Sequence, residues 1–515
     1  MHDIPSFQEV KKSVYADDIK LWLTGDDLLD VAAKLQESID QLSEWCEAND
    51  LVISASKSAT MVFTRRKFQR IPYLTIDNVD IKLKSKHTYL GLTLDAPLLN
   101  WKEHIQYLTV SCTSRLNIMK SLAGTSWGCS RRTLQTFYIA YIRSKINYGS
   151  AVYSSASQSL LKKISIIQSH AARIITGAWR STPIPALNCE LGLLPIQLHR
   201  DAELAILYCK YKQQPYSHPI LQLINNHLRE NPVTFCHKVS FPQRAVNILE
   251  KLQISENHSF PNATHLPIPP WRSLDECIFT DLLIPICKDS LPSLISYLAN
   301  LTLEERFKGA VLIFTDGSRS SIEGETRSGA STVVPQTGET NSWRLDGTHS
   351  VVSTELFALL QALRWIKQSN SPGPFTIATD SMVSLKMLTS RRRSLYPYLV
   401  NKILIEHCHL SDAGKEILFQ WVPGHAGILG NELADKHAKN SLLLNTITEF
   451  PLSAAEQKSI ISECILSQWQ TRWNSCIDQY HIGAIKKQVK PSPWSNMRCR
   501  KSEVLVEKGV ECCRR

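Results

Sequence analysis

The chain has 515 residues, 43% hydrophobic and 20% charged, which excludes a disordered or fibrous polymer and predicts about two to four globular domains. A net charge of +11 and a pI near 8.9 fit a polyanionic partner, but the charge is spread too thinly to demand one. The 14 cysteines are scattered without a C-x-x-C pair, which argues against a disulfide framework or a simple zinc site.

His407 and His409 flank Cys408 in a helix-like run but lack a second ligand pair, so no metal is assigned there. No apolar run approaches 18 residues, and the N-terminus MHDIPSFQEVKK is no targeting peptide. The composition predicts a soluble protein of the nucleus or cytoplasm with reduced thiols, neither secreted nor attached to a membrane.

The first pattern is SVYADDIKLWL, read as strand–turn–strand with Asp17 and Asp18 at the tip; a solvated Asp-Asp turn explains it equally well. Apolar residues at Leu28, Val31, Leu35, Ile39 and Leu42 then follow an Asp cap at helical spacing. LVISASKSATMVF carries Lys57 between two strand-like pieces, and HTYLGLTLDAPLLNWKEHI follows with a tryptophan and His104. Together these segments resemble the last palm motifs of a reverse transcriptase, in particular that of non-LTR retrotransposons of the Jockey and I type. The resemblance implies that Asp17 and Asp18 bind catalytic Mg²⁺ and that Lys57 is the motif lysine. The family also needs a third metal-binding aspartate far upstream, together with the fingers, and neither is present here. A two-metal site without that carboxylate is not expected to hold both ions, so this remnant (residues 1–100) is predicted inactive as a polymerase.

Residues 101–215 read as mainly helical, with Arg and Lys among aromatic and aliphatic positions, as beside a nucleic-acid duplex. A basic bundle that merely solvates its outer faces has the same pattern. By position this region resembles the thumb of the same family. Between 216 and 305, Pro261, Pro267, Pro269, Pro270, Pro285 and Pro292 interrupt short apolar pieces and predict an irregular connector.

From 306 to 445 the order of elements is regular. VLIFTDGS, GASTVVP and NSWRLDG read as three hairpin-linked strands, with the first ending where Asp316 emerges. A helix over 353–368 lines up Leu356, Leu359, Leu360, Leu363 and Ile366. FTIATDS and EILFQWVPGH are strands, MVSLKMLTS, LVNKILIEHCHL and GNELADKHAKNSL helices, and the whole is a mixed α/β layer fold. Asp316, Glu355, Asp380 and Asp435 each lie beside a strongly periodic segment, where a fold can aim them into one cleft. Clustered carboxylates need a counter-charge, and hard divalent cations prefer oxygen ligands. Two such ions are the usual apparatus for in-line attack on a phosphodiester.

Each residue has a plainer explanation. Asp316-Gly317 could be a hairpin turn, Glu355 a dipole partner in the first helical turn, and Asp380-Ser381 a helix cap. Asp435 could sit on a solvated face, and His425 in a loop between glycines. Five such coincidences in order are improbable.

TDGS, TELFA, ATDS and WVPGHAGILGNELADKHAK, in that order, resemble type 1 ribonuclease H, with its five-stranded mixed sheet and flanking helices. The resemblance implies that Asp316 bridges two Mg²⁺ ions, with Mn²⁺ a possible substitute. Glu355 would bind one ion near the ribose 2′-hydroxyl. Asp380 would bind the other ion and orient the attacking water, Asp435 would complete that ion's shell, and His425 would assist proton transfer. The implied partner is an RNA–DNA hybrid, whose RNA strand would be cut. RRRSLYPYLV is short compared with the basic extension of some relatives, and Arg391 to Arg393 would partly replace it.

The tail, 446–515, reads as helical with Trp469 and Trp473; its cysteines lack the zinc-knuckle spacing with which related elements often end. The chain reads as truncated at both ends. The alternative function is a non-catalytic nucleic-acid-binding remnant; a transposase or exonuclease on a related fold is disfavoured by the GHAG loop.

Overall fold

The computed structural model describes residues 4–67, 71–124, 127–214, 218–229, 239–254, 274–285, 291–389 and 396–490. Arg391–Arg393, Pro261, Pro267, Pro269, Pro270 and the cysteine-bearing end of the tail lie outside them. The chain divides into two compact units. The first comprises Met1–Arg200, Val233–Phe241 and Trp469–Arg515, and the second Asp201–Pro232 and Pro242–Gln468. Among the described residues no helix is long and apolar enough to cross a membrane.

In the first unit, Lys11–Tyr15 and Asp18–Trp22 form an antiparallel hairpin in which Tyr15 faces Asp18. Ala16 turns the chain at φ 50°. The helix Leu28–Ala48 starts where Asp27 accepts a 3.0 Å hydrogen bond from the Leu29 amide, and it buries Ile39, Leu42 and Cys46. The expected strands around Lys57 reduce to Ala59–Thr60, and Lys57 itself is exposed in a turn. SASKS offers small polar residues that bond locally: the Lys57 and Ser58 amides both donate to the Ser54 carbonyl.

YLGLTLD with its tryptophan and histidine is structural cement. Both Asp95 carboxylate oxygens accept amide hydrogen bonds, from Trp101 and Lys102 at 2.9 Å each, and so start the helix Lys102–Ser121. The Trp101 indole is buried and donates to Ser155, and His104 accepts from the Thr93 amide. Ile105, Leu108, Cys112 and Met119 then pack with Ile164, Ile167 and Ala171 of the helix Gln158–Thr176. Trp473 from the far end of the chain is buried in this unit too, its indole donating to the Lys486 carbonyl.

The elements of the second unit that build its sheet are β1 (Ile278–Phe279), α1 (Pro292–Arg306), β2 (Val311–Ile322), β3 (Glu325–Val334), β4 (Glu339–Leu345), α2 (Val351–Gln368), β5 (Phe375–Thr379), α3 (Met382–Thr389), α4 (Pro397–Asp412), β6 (Ile417–Trp421) and α5 (Leu429–Ser441). The sheet has six strands in the order β4-β3-β2-β5-β6-β1. β2, β3 and β4 pair antiparallel, and the remaining neighbours are parallel. The sixth strand was not expected: it comes from the connector, where Ile278 and Phe279 pair with Phe419 and Gln420. Two residues carry too little periodicity to register as a strand.

The described parts of the connector include three helices, Pro219–Arg229, Phe241–Lys251 and Pro292–Arg306. Pro219 and Pro292 stand first in theirs, where a missing N–H costs nothing. The main core lies between the sheet and α2, whose Leu356, Leu359, Leu360, Leu363 and Ile366 are fully buried against Ile313, Ile377 and Phe419.

Candidate active site

The parallel pairing of β2 with β5 ends at Thr315–Thr379, whereas β2 continues against β3 as far as Ile322. Asp316 is thus the first residue of β2 beyond its parallel neighbour. It lies inside a 12-residue strand, whereas the sequence predicted that the strand stops there. The hairpin turn comes later, at Glu323-Gly324, both at positive φ. Asp380 follows the last residue of β5, so both acids stand where the parallel pairing of β2 with β5 ends. Open α/β sheets place ligands in this position.

Glu355 comes from α2, which Ser350 caps by accepting from the Ser353 amide. Glu355 is the fifth residue of that helix, past the first turn, so complementing the helix dipole does not explain it. The helix reaches Asp316 because Gly317 has no side chain. A Cβ there would lie 2.4 Å from Thr354 Oγ1 and 2.6 Å from the Glu355 nitrogen. Gly430 brings α5 onto the sheet in the same way, since a Cβ would sit 2.3 Å from the Phe314 ring. Ser331 of β3 then ties α5 down by donating to the Ala434 carbonyl at 2.6 Å.

Asp316, Glu355 and Asp380 offer ligand atoms that all lie within 4.8 Å of one another. Asp316 and Glu355 are only 6% and 5% exposed. Burial, then Asp380, then Asp435 push Asp316 up to about 7. Burial and the neighbouring Asp316 and Asp380 raise Glu355 well above the usual carboxylate range. Asp380 is raised by burial, against which the Asn431 amide and His425 act. Glu355 Oε2 is buried with no hydrogen-bond partner. Three carboxylates crowded at low dielectric, one with an unsatisfied oxygen, match the donor set of a hard divalent cation.

Asp435, on α5, is half-buried and pairs with Lys439 at 2.7 Å, one turn on. His425 is exposed at φ 53° in the loop before α5. It forms a second group with Glu432 and Asp435, again within 4.8 Å, while Glu432 also accepts from the Gly427 amide. The five residues expected in this site are therefore brought together. Two more were missed from sequence, Asn431 and Glu432, although both lie inside the GNELAD string. Trp421 and Gly424 also shape the site: the Trp421 indole donates to the Asp380 carbonyl, and a Cβ on Gly424 would lie 2.7 Å from Asp380 Oδ2.

Asp17 and Asp18 have a different setting. Both are exposed at the hairpin tip, and among the described residues neither belongs to a group of three potential ligands.

The RNase H family profile matches residues 308–442, and so covers all five residues of the site. Among curated proteins, the chain is 27% identical over 211 residues to the RNA-directed DNA polymerase from mobile element jockey of Drosophila funebris, covering 41% of this chain and 22% of that one. It is 25% identical over 193 residues to the probable RNA-directed DNA polymerase from transposon BS of Drosophila melanogaster, covering 37% and 20%. The chain thus spans about a fifth of the length of these relatives. Among solved structures, RNase H1 of Halobacterium salinarum NRC-1 aligns at 23% identity over 26% of this chain and 98% of its own, with a TM-score of 0.21. Prototype foamy virus protease-reverse transcriptase aligns at 19% identity over 26% and 21%, with a TM-score of 0.22. Residues 308–442, with their mixed sheet and its carboxylate cleft, are a ribonuclease H domain, in a chain similar to RNA-directed DNA polymerases of mobile elements such as jockey.

Proposed function

We propose that this domain hydrolyses the RNA strand of RNA–DNA hybrids endonucleolytically, with Mg²⁺ as its cofactor and Mn²⁺ as a substitute. The observation that carries the reading is the trio of buried Asp316 and Glu355 with half-buried Asp380, mutually within 4.8 Å, with Glu355 Oε2 unsatisfied. Asp316 and Glu355 would hold one cation, and Asp316, Asp380 and Asp435 a second. When bound, the cations neutralise the carboxylates, favour ionisation of a water and stabilise charge on the phosphate.

The protein's own residues do the rest. Asp380 orients the attacking water, whose oxygen forms the new bond to phosphorus as the bond to the 3′ oxygen breaks. His425, exposed on its loop, carries the proton needed by that leaving oxygen, and the products are a 5′-phosphate and a 3′-hydroxyl. Glu355 discriminates RNA by contact with the 2′-hydroxyl, the group that distinguishes RNA from DNA locally. The other strand is held through its phosphates without base reading, so cleavage is independent of sequence and binding is sensitive to salt.

Asp17 and Asp18, exposed at their hairpin tip, are given no step in this proposal. A labelled RNA–DNA hybrid incubated with Mg²⁺ and the full chain, beside Asp316→Asn, tests the reading. Cleavage by the unaltered protein alone supports it. Salt-sensitive binding with no cleavage by either protein would replace it with a nucleic-acid-binding remnant.

A further inference from the structure

The helix that carries Glu355, α2, begins S-V-V-S with Ser350 as its cap. In a capping box the residue three places after the cap is Glu or Gln, whose side chain reaches back to the cap's own N–H. In α2 that residue is Ser353. Its amide donates to Ser350 Oγ, but its hydroxyl pairs with His349. The Ser350 amide finds its acceptor elsewhere: it donates at 2.8 Å to Glu456 Oε1, 106 residues further along the chain.

Glu456 serves its own helix as well. At the start of α6 (Ala454–Asn474), the Ser453 amide and hydroxyl both donate to Glu456 Oε2 at 2.8 Å. The Glu456 amide donates back to Ser453 Oγ at 3.2 Å, so one carboxylate completes the first turns of two helices. It is 3% exposed, and Nδ1 of the buried His349 stands 3.6 Å from Oε1. Burying a carboxylate is costly unless it is hydrogen-bonded and paired, and an exposed glutamate would cap α6 equally well. Only the contact with α2 needs this one buried.

The start of α2 is held from other sides too. The His349 carbonyl accepts from Ser328 of β3 at 2.9 Å, and Ser350 Oγ shares a 2.8 Å hydrogen bond with the Tyr396 hydroxyl. Ahead of α6, the Thr448 amide donates to the Arg344 carbonyl of β4, and the Phe450 ring lies 5.0 Å from Phe357 of α2. Thr448, Phe450, Ser453 and Glu456 all lie beyond residue 442, where the family match ends. Glu355 lies five residues after Ser350, where α2 presses so closely on Gly317 that no Cβ fits. A small shift of α2 therefore moves Glu355 relative to Asp316.

We infer that Glu456 is a positioning residue of the ribonuclease H site: by capping α2 from a second helix it fixes where Glu355 enters the cleft, and residues 446–456 belong to the working domain. The inference rests on the role proposed for Glu355 in holding a cation.

The test uses the full chain with Glu456→Ala, Glu456→Gln and Ser453→Ala. Outer partners of metal ligands contribute about 10–100-fold, so Glu456→Ala should weaken Mn²⁺ binding, measured calorimetrically, and lower kcat by about tenfold each. KM for the hybrid should stay within about twofold, because no contact with the duplex is removed. Glu456→Gln keeps one acceptor oxygen and should lose less of both; it carries the comparison if Glu456→Ala does not fold. Ser453→Ala weakens the start of α6 but leaves the Ser350 contact. It should lower the melting temperature in EDTA while Mn²⁺ affinity and kcat stay within about twofold. In a Glu355→Gln background, Glu456→Ala should have no further effect on Mn²⁺ binding, as expected of two residues that act as one unit.

Mn²⁺ affinity and kcat at the unaltered level in Glu456→Ala would overturn the inference. So would an equal loss in Ser453→Ala at a matched fall in melting temperature, or an undiminished further loss of Mn²⁺ affinity in the Glu355→Gln background. If the unaltered protein binds Mn²⁺ but cleaves no hybrid, the hydrolytic reading fails, and the calorimetric comparison still decides whether Glu456 positions Glu355.

Discussion

Two acidic sites in this chain have opposite physical character. At the tip of the Lys11–Tyr15/Asp18–Trp22 hairpin, Asp17 and Asp18 are exposed to water. In the ribonuclease H domain, Asp316 and Glu355 are buried within 4.8 Å of Asp380. Solvated carboxylates repel each other weakly and need no partner, whereas buried ones destabilise the fold until a counter-charge arrives. The difference arises from strand pairing. A hairpin tip leaves its acids in solvent, but β2 outruns β5 and thereby opens a cleft walled by α2 and α5.

The largest effect that would sharpen this contrast comes from Asp316→Asn. Outer partners of metal ligands already contribute about 10–100-fold, so removing the carboxylate proposed to face both ions should cost at least about 100-fold in hybrid cleavage. A variant that cleaves within a few-fold of the parent would place the chemistry elsewhere. His425→Ala should come next, at roughly 100-fold in kcat, the scale of a positioned proton carrier. Its readout is single-turnover cleavage, in which slow product release does not mask the chemical step.

Gly317→Ala tests how the cleft is built. The new Cβ would meet the Glu355 backbone nitrogen at 2.6 Å, and a helix backbone cannot turn aside as a side chain can. We expect a loss of about 1–3 kcal/mol in denaturant unfolding, together with reduced cleavage as α2 is pushed from β2. Unchanged stability and rate would show that the close approach is dispensable.

A smaller effect follows from charge. In the metal-free protein, burial and then Asp380 raise Asp316 from 3.8 to about 7. A carboxyl whose folded pKa lies above its unfolded one favours the fold fully below the unfolded value, and this contribution is lost as pH rises through about 7. Asp316→Asn should therefore stabilise the metal-free protein at pH 8, by on the order of 2 kcal/mol, and much less at pH 4. Mg²⁺ should raise the melting temperature of the unaltered protein more at pH 8 than at pH 5. An equal gain at both pH values would show that repulsion within the trio is not what burial has stored.

Much of this domain was legible in its sequence because its elements are long and periodic. The apolar stripe of α2, from Leu356 to Ile366, and the GHAGILGNELAD string set both the order of elements and the site. What escaped was short or cooperative. β1 has two residues, and α1 begins at a proline that from sequence looked like a break. Asn431 carries no signal of its own: its burial follows from Gly430 meeting Phe314 and its neighbourhood from Gly424 covering Asp380, contacts between residues more than 40 positions apart. Trp101 and His104 show the converse. Their pattern was visible, but the structure uses them to start and pack a helix.

The smallest predicted effect bears most directly on the comparison. Replacing Asp17 and Asp18 together by Asn should leave hybrid cleavage unchanged and move stability by no more than about 0.5 kcal/mol, as expected of exposed positions with no specialised contact. Primer extension with the unaltered protein should yield no product above that of the double variant. Removing two acids also raises net charge, so any tightening of hybrid binding should vanish as salt is increased. If the double variant instead lost Mn²⁺ binding that Asp316→Asn retains, a cation would be held at the hairpin tip after all. The contrast between a solvated pair and a crowded, largely buried trio would then no longer separate an idle site from a working one.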